Sequence, residues 1–127
     1  MTESNNFSEI RTVQGFREHV SEQRFRVLRQ PIVNLKDGRI HHHEWLVRFD
    51  HDEHLEGLIR ASEISGVIRD LDLSMLAQAI LVLNENPEGT GIAINLSGAS
   101  VDKENFRGSV MACLTALKAS PTKLIIE

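Results

Sequence analysis

The chain has 127 residues, of which 41% are hydrophobic and 25% charged, and its formal net charge at pH 7 is -4. This length supports one domain with one core, and the acidic balance gives no electrostatic basis for broad nucleic-acid binding. No apolar run is long enough for a transmembrane helix, the first residues lack a signal-peptide layout, and a single cysteine excludes an internal disulfide. The expectation is a soluble cytoplasmic protein that neither binds nucleic acid nor inserts into a membrane.

The first half of the chain predicts a polar tail, a short helix and a β-hairpin. Residues 1–10 form the predicted tail, and residues 11–127 form the predicted domain. Apolar spacing predicts a helix over Thr12–Glu22 and strands over Arg24–Asn34 and Ile40–Phe49. Asp37 and Gly38 lie between the two strands and supply the turn chemistry that favours an antiparallel hairpin.

Helices and strands alternate after the hairpin, which predicts an α/β protein whose parallel strands are covered by helices. The predicted elements are helices over Leu55–Ser65 and Asp70–Leu83, a strand over Thr90–Ser97, a helix capped by Ser100, and a strand over Lys123–Glu127. Gly66 is expected to end the first of these helices. Asp70 and Asp72 are expected at the start of the second, where carboxylates interact favourably with the helix dipole.

Three polar side chains, Glu44, Asn95 and Glu127, lie on the strand faces opposite the apolar residues. Because strand side chains alternate, Leu46 and Arg48 share the face of Glu44. Two carboxylates and an amide oxygen are hard ligands of the kind that bind magnesium, manganese or calcium. In a barrel of parallel strands such residues meet at one mouth, although polar residues at strand ends are often only solvated.

Other polar residues have simpler interpretations. Adjacent strand residues alternate between faces, so the run His41–His43 is not expected to bind one ion. His51 and His54 are expected to be solvated loop residues, and Glu63 an exposed helix carboxylate. Cys113 lies on the apolar face of the last predicted helix, together with Phe106, and is expected to be a core thiol.

Five short motifs occur in one order along the chain. They are Gln30-Pro31-Ile32-Val33, Glu44-x-Leu46-x-Arg48, Ser62-Glu63-Ile64-Ser65-Gly66, Asn95-Leu96-Ser97 and Leu124-Ile125-Ile126-Glu127. Each motif alone is short, and the specificity comes from the order and spacing of all five. Over Phe25 to Glu127 the sequence resembles the EAL domain of cyclic-di-GMP phosphodiesterases.

The resemblance implies a partial (β/α)8 barrel of the TIM type, with about four strands, an antiparallel first hairpin and flanking helices. It implies two sets of site residues: metal ligands Glu44, Asn95 and Glu127, and dinucleotide contacts Gln30, Leu46 and Arg48. Arg48 is expected to meet a phosphate. In the complete family domain the implied cofactor is Mg or Mn, and the implied reaction is metal-assisted hydrolysis of the phosphodiester to linear pGpG.

The sequence departs from the family pattern at Trp45, where alanine is expected, and this side chain is predicted to face the helices. The family's paired aspartates, catalytic lysine and further acidic residues belong to later strands that the 127 residues do not include. We therefore expect a half barrel that is inactive by itself and acts through a homodimer or a protein partner covering its open face. Whether metal binds to this chain alone is left open.

Two alternatives remain at the level of sequence. The first is that the chain is an N-terminal fragment of a longer, active phosphodiesterase in which later strands complete the metal site. A third hypothesis is weak binding of cyclic-di-GMP without turnover, through Gln30, Leu46 and Arg48.

Overall fold

The described residues of the computed structural model are 12–49, 66–97, 104–118 and 122–127. They form α1 (Val13–Ser21), β1 (Arg26–Val33), β2 (Ile40–Arg48), α2 (Val67–Glu85), β3 (Gly91–Ile94), α3 (Glu104–Ala116) and β4 (Leu124–Ile126). The predicted tail and the predicted helix over Leu55–Ser65 lie outside the described residues, as do His51, His54, Glu63 and Ser100. The remaining predicted helices and strands are present.

Local sequence signals account for α1 and for the hairpin. Thr12 precedes α1, and its hydroxyl oxygen accepts a hydrogen bond from the backbone N–H of Gly15 at 2.9 Å, as a helix N-cap does. In the hairpin loop Gly38 has a φ of 71°, a left-handed conformation that glycine adopts readily. The Asp37 carboxylate accepts a hydrogen bond from the backbone N–H of Arg39 at 2.9 Å and stabilises the turn.

The four strands form one sheet in the order β1-β2-β3-β4. β1 and β2 are antiparallel, whereas β2 with β3 and β3 with β4 are parallel. Gly91 allows the close approach of β3 to β4, because a Cβ atom on it would lie 2.9 Å from the Lys123 carbonyl oxygen. The predicted α/β arrangement with an antiparallel first hairpin is confirmed.

The hydrophobic core lies between one face of this sheet and the helices. Its most buried large side chains are Phe16, Phe106, Leu76, Ile80, Ile94 and Val67. Trp45 is 4% exposed and belongs to the same cluster, so it faces the helices as predicted. Cys113 packs against this cluster from α3, and burial raises the pKa of its thiol.

The start of α2 differs from the prediction. The helix begins at Val67, directly after Gly66 in a left-handed conformation with φ 85°, because Val67 and Ile68 are buried in the core and extend the apolar stripe. Asp70 remains in the first turn, as predicted. The prediction for Asp72 was wrong: this carboxylate is buried beyond the first turn and accepts a hydrogen bond from the backbone N–H of Ser97 at 2.9 Å.

Several other boundaries are shifted, and β1 begins at Arg26, two residues after its predicted start. α2 ends at Glu85, two residues beyond its predicted end, and β3 covers only Gly91–Ile94 of the predicted Thr90–Ser97. Among the described helices, none has the length and apolar character that crossing a membrane requires.

Candidate functional site

The candidate site lies on the face of the sheet that is turned away from the core, which we call the inner face. Because Trp45, Ile92 and Ile94 point into the core, the residues that alternate with them point the other way. Strand pairing extends this rule to β1 and β4. The inner face includes Leu28, Gln30, Ile32, Glu44, Leu46, Arg48, Ala93, Asn95, Ile125 and Glu127.

Glu44 and Asn95 are in direct contact. The Asn95 side-chain Nδ2 donates a hydrogen bond to Glu44 Oε1 at 3.2 Å. The two residues are 51 positions apart in sequence, and the parallel pairing of Glu44 with Ala93 brings them together. Glu44 is half-buried and Asn95 is exposed, so their oxygen atoms lie at the boundary between the sheet and solvent. The two predicted metal ligands are therefore neighbours in the fold, and their role as ligands stays a prediction.

Glu127 lies on the next strand, beside Asn95. Its backbone N–H donates to the carbonyl oxygen of Ile94, and its own carbonyl accepts from the N–H of Leu96, both at 2.9 Å. These two bonds bracket Asn95 and continue the parallel ladder one residue beyond β4. The Glu127 side chain is exposed. The backbone therefore brings Glu44, Asn95 and Glu127 to nearby positions on one face of three neighbouring strands.

The three predicted dinucleotide contacts line the adjacent part of the inner face. Gln30 is the direct register partner of Glu44, and Leu46 lies opposite Leu28. Arg48, at the end of β2, is exposed and donates a hydrogen bond from Nη1 to the carbonyl oxygen of Val47 at 2.9 Å. This bond uses one of the five N–H groups of the guanidinium, and the others can still donate to a phosphate.

The chemistry of the donor set fits a hard divalent cation. Carboxylate and amide oxygens are the ligands that Mg²⁺ and Mn²⁺ prefer in proteins. As placed, the Asn95 amide turns its NH2 group towards Glu44, and a half-turn about its terminal bond presents the oxygen instead. Within the described ranges no three His, Cys, Asp or Glu side chains form a group that could hold a metal ion. The described site thus offers two carboxylates and one amide.

Sequence reasoning missed the contribution of Asp72 to this site. Its hydrogen bond to the Ser97 N–H connects α2 to the segment that follows β3, two residues beyond Asn95. A signal was present, because Asp72 is spaced three and four residues from Met75 and Leu76, which places it on the apolar face of the helix. A buried helix carboxylate requires a partner, and a backbone N–H at the end of a strand satisfies that requirement.

Comparison with known proteins gives one family match and several similar solved structures. The family model for the EAL domain matches residues 13–127. No curated protein matches the sequence at a significant level. Among solved structures, a FimX EAL domain is 21% identical with a TM-score of 0.75, and the match covers 94% of this chain and 51% of that one.

Two further solved structures extend the comparison. A Pseudomonas aeruginosa FimX EAL domain bound to c-di-GMP is 22% identical with a TM-score of 0.71, covering 90% of this chain and 48% of that chain. Klebsiella pneumoniae BlrP1, in a manganese and cyclic-di-GMP complex, is 25% identical with a TM-score of 0.57, covering 85% and 28%. The chain therefore spans about half the length of the FimX domains and matches part of an EAL barrel.

The fold, the spacing of the motifs and the extent of the family match lead to one conclusion: this chain belongs to the EAL domain family.

Proposed function

We propose that this chain is a cytoplasmic cyclic-di-GMP signalling unit that binds a divalent cation and the dinucleotide on its inner face but does not hydrolyse the dinucleotide by itself. The observation that carries the proposal is the contact between Asn95 and Glu44, with Glu127 on the neighbouring strand. The Pseudomonas aeruginosa FimX structure and the BlrP1 structure contain cyclic-di-GMP, and that of BlrP1 also contains manganese. These complexes support the choice of ligand and cation.

The donor set supports binding rather than turnover. Glu44, Asn95 and Glu127 provide three protein groups, whereas a hard divalent cation takes about six oxygen ligands. Water and phosphate oxygens complete the shell when a cation binds, and the cation then neutralises charge on the phosphodiester. Two-metal hydrolysis needs a second cation position and a further set of acidic ligands. We therefore assign cation and dinucleotide binding to this chain, with Mg²⁺ or Mn²⁺ as the cation.

The geometry also supports a role through protein contacts. Apolar side chains lie beside the polar site on the inner face, and Leu28 is 43% exposed there. In a closed barrel such side chains pack against those of the other strands. We propose that a second copy of the chain, or another protein, covers this face and completes the surroundings of Glu44 and Asn95.

The test combines cation binding with product analysis. Free Mn²⁺ is followed by electron paramagnetic resonance while wild-type protein is added, and Glu44→Gln is compared with Glu85→Gln, an exposed carboxylate at the end of α2. We expect Glu44→Gln to weaken Mn²⁺ binding about tenfold, because it removes one charged ligand, and Glu85→Gln to leave it unchanged.

The same samples are then incubated with cyclic-di-GMP and analysed by chromatography. Binding of the dinucleotide without formation of pGpG is the expected result. Formation of pGpG that disappears in Glu44→Gln would overturn the non-catalytic part of the proposal. Identical Mn²⁺ titrations for wild type and Glu44→Gln would overturn the cation site.

A further inference from the structure

A groove lies on the opposite, helix-facing side of the sheet, between β1, β2 and the C-terminal end of α2. Its volume is about 360 Å³. The lining residues are Arg29, His43, Trp45, Val82, Leu83, Asn86, Gly89, Thr90 and Ile92. Cavities of about 300 Å³ and more with apolar walls and a few polar groups are typical of small-molecule sites. We call this feature the outer groove.

Arg29 and Trp45 form the base of the outer groove. They are direct register partners on β1 and β2, and the Arg29 Cζ atom lies 5.0 Å from the centre of the Trp45 ring. This cation–π contact orients the guanidinium while Trp45 itself stays buried. Alanine, the residue that the EAL pattern predicts at this position, has no ring for Arg29 to contact. The groove therefore contains Trp45, the residue that departs from the EAL signature. The proposed function gives Trp45 no role.

Charge and polarity in the outer groove favour an anion. None of the lining residues is acidic, and no described carboxylate forms an ion pair with Arg29. The His43 Nδ1 atom lies 2.9 Å from the Thr90 hydroxyl oxygen, which adds two polar groups to the same groove. Val82, Leu83 and Ile92 provide apolar walls beside them. The guanidinium is exposed and keeps N–H groups that can donate in pairs to a carboxylate.

We propose that the outer groove binds a small organic carboxylate, with the carboxylate on Arg29 and the apolar body against Val82, Leu83 and Ile92. The site is separate from the inner face and does not depend on cyclic-di-GMP binding. The outer groove lies directly behind the inner face. Arg29 and Gln30 are chain neighbours that point to opposite faces of the sheet, and so are Trp45 and Glu44. An occupant of the groove would contact the same two strands that position Gln30 and Glu44.

The chain offers a direct reporter, because Trp45 is its only tryptophan. We would titrate the protein with benzoate and follow tryptophan fluorescence, using benzamide as an uncharged probe of nearly the same shape. A saturable change with benzoate, and a response to benzamide at least about tenfold weaker, is expected for a charge-assisted pair.

Variants locate the site. Arg29→Gln is expected to weaken benzoate binding about tenfold, since it removes the charged partner. Arg29→Lys is expected to bind with an affinity between those of wild type and Arg29→Gln, because it keeps the charge but lacks the paired N–H groups of the guanidinium. Arg39→Gln, which removes an exposed charge from the hairpin loop, is the matched control and is expected to bind as wild type does. Far-UV circular dichroism confirms that each variant is folded.

Three results would overturn the proposal. Equal affinity for benzoate and benzamide would show that the carboxylate is not recognised. Equal weakening by Arg29→Gln and Arg39→Gln would show general charge attraction rather than a site. Absence of any saturable change with wild-type protein would show that the groove does not bind carboxylates.

Discussion

The buried carboxylate of Asp72 determines where the segment after β3 lies. It is 7% exposed and accepts a hydrogen bond from the Ser97 N–H at 2.9 Å. The two backbone bonds to Glu127 bracket Asn95, whose side chain contacts Glu44, and the Asp72 bond holds the chain two residues further on, at Ser97. We infer that a residue on α2, outside the inner face, contributes to the geometry of the site.

Replacing Asp72 by alanine is expected to lower the free energy of unfolding by about 1–3 kcal/mol, because the partly buried N–H of Ser97 loses this acceptor. Asp72→Asn keeps a side-chain oxygen and is expected to recover part of this loss. Urea unfolding measures both. Asp70→Ala, on an exposed carboxylate of the same helix, is the control; a loss no larger for Asp72→Ala than for Asp70→Ala would contradict the assignment.

Single residues of the site differ in how well the sequence could predict them. The shared face of Glu44, Leu46 and Arg48 follows from strand alternation alone, whereas Gln30 joins it through the register of the hairpin. The role of Asp72 depended on where α2 begins. Starting the helix at Asp70 made this carboxylate a terminal residue, whereas the observed start at Val67 places it inside the buried face.

Gly91 lies where β3 and the chain entering β4 are close together. A Cβ atom there would lie 2.9 Å from the Lys123 carbonyl oxygen, and the neighbouring Ile92 N–H donates to that same oxygen at 2.8 Å. Neither backbone atom can move away without weakening the ladder that leads to Asn95 and Glu127. The glycine therefore fixes the spacing of the two strands that carry these residues.

Gly91→Ala is expected to destabilise the protein by about 1–3 kcal/mol, as overpacking against rigid backbone does. Gly108→Ala is the matched control, because Gly108 lies in α3 and has open space where the methyl group would be added. Alanine in a helix interior is expected to stabilise by about 0.5–1 kcal/mol. Thermal unfolding measures the change in stability for both variants. A stability change of the same sign for both would show that the β3–β4 contact does not exclude a side chain at position 91.

The order and type of the elements were predictable, whereas several boundaries were not. Apolar periodicity identified α1, the hairpin and the alternation that follows. α2 is longer than predicted because Val67 and Ile68 are buried in the core. The helix therefore begins three residues before Asp70, its predicted start. The short β3 reflects pairing, since strand ends are set by the neighbours β2 and β4.

For the molecule as a whole, the two faces of the sheet have different surroundings. One face is covered by α2, against which α1 and α3 pack, and contains the core. The inner face combines the polar site with apolar residues, of which Leu28 is 43% exposed. In the family's complete barrel the inner faces of eight strands cover one another. The sequence predicted this architecture through its resemblance to the family, but no local pattern indicates what covers the inner face here.

The last prediction concerns that cover. If a second copy of the chain packs on the inner face, Leu28→Asp is expected to weaken self-association more than tenfold, because it buries an unpaired charge in the contact. Leu81→Asp is the matched control: Leu81 is 48% exposed, but it lies on α2, away from the inner face. Sedimentation velocity over a range of concentrations measures both. We expect a dimer for wild type and Leu81→Asp and a monomer for Leu28→Asp. A wild-type protein that stays monomeric at every concentration would leave a different protein as the partner. Equal effects of the two substitutions would rule out the inner face as the contact between copies.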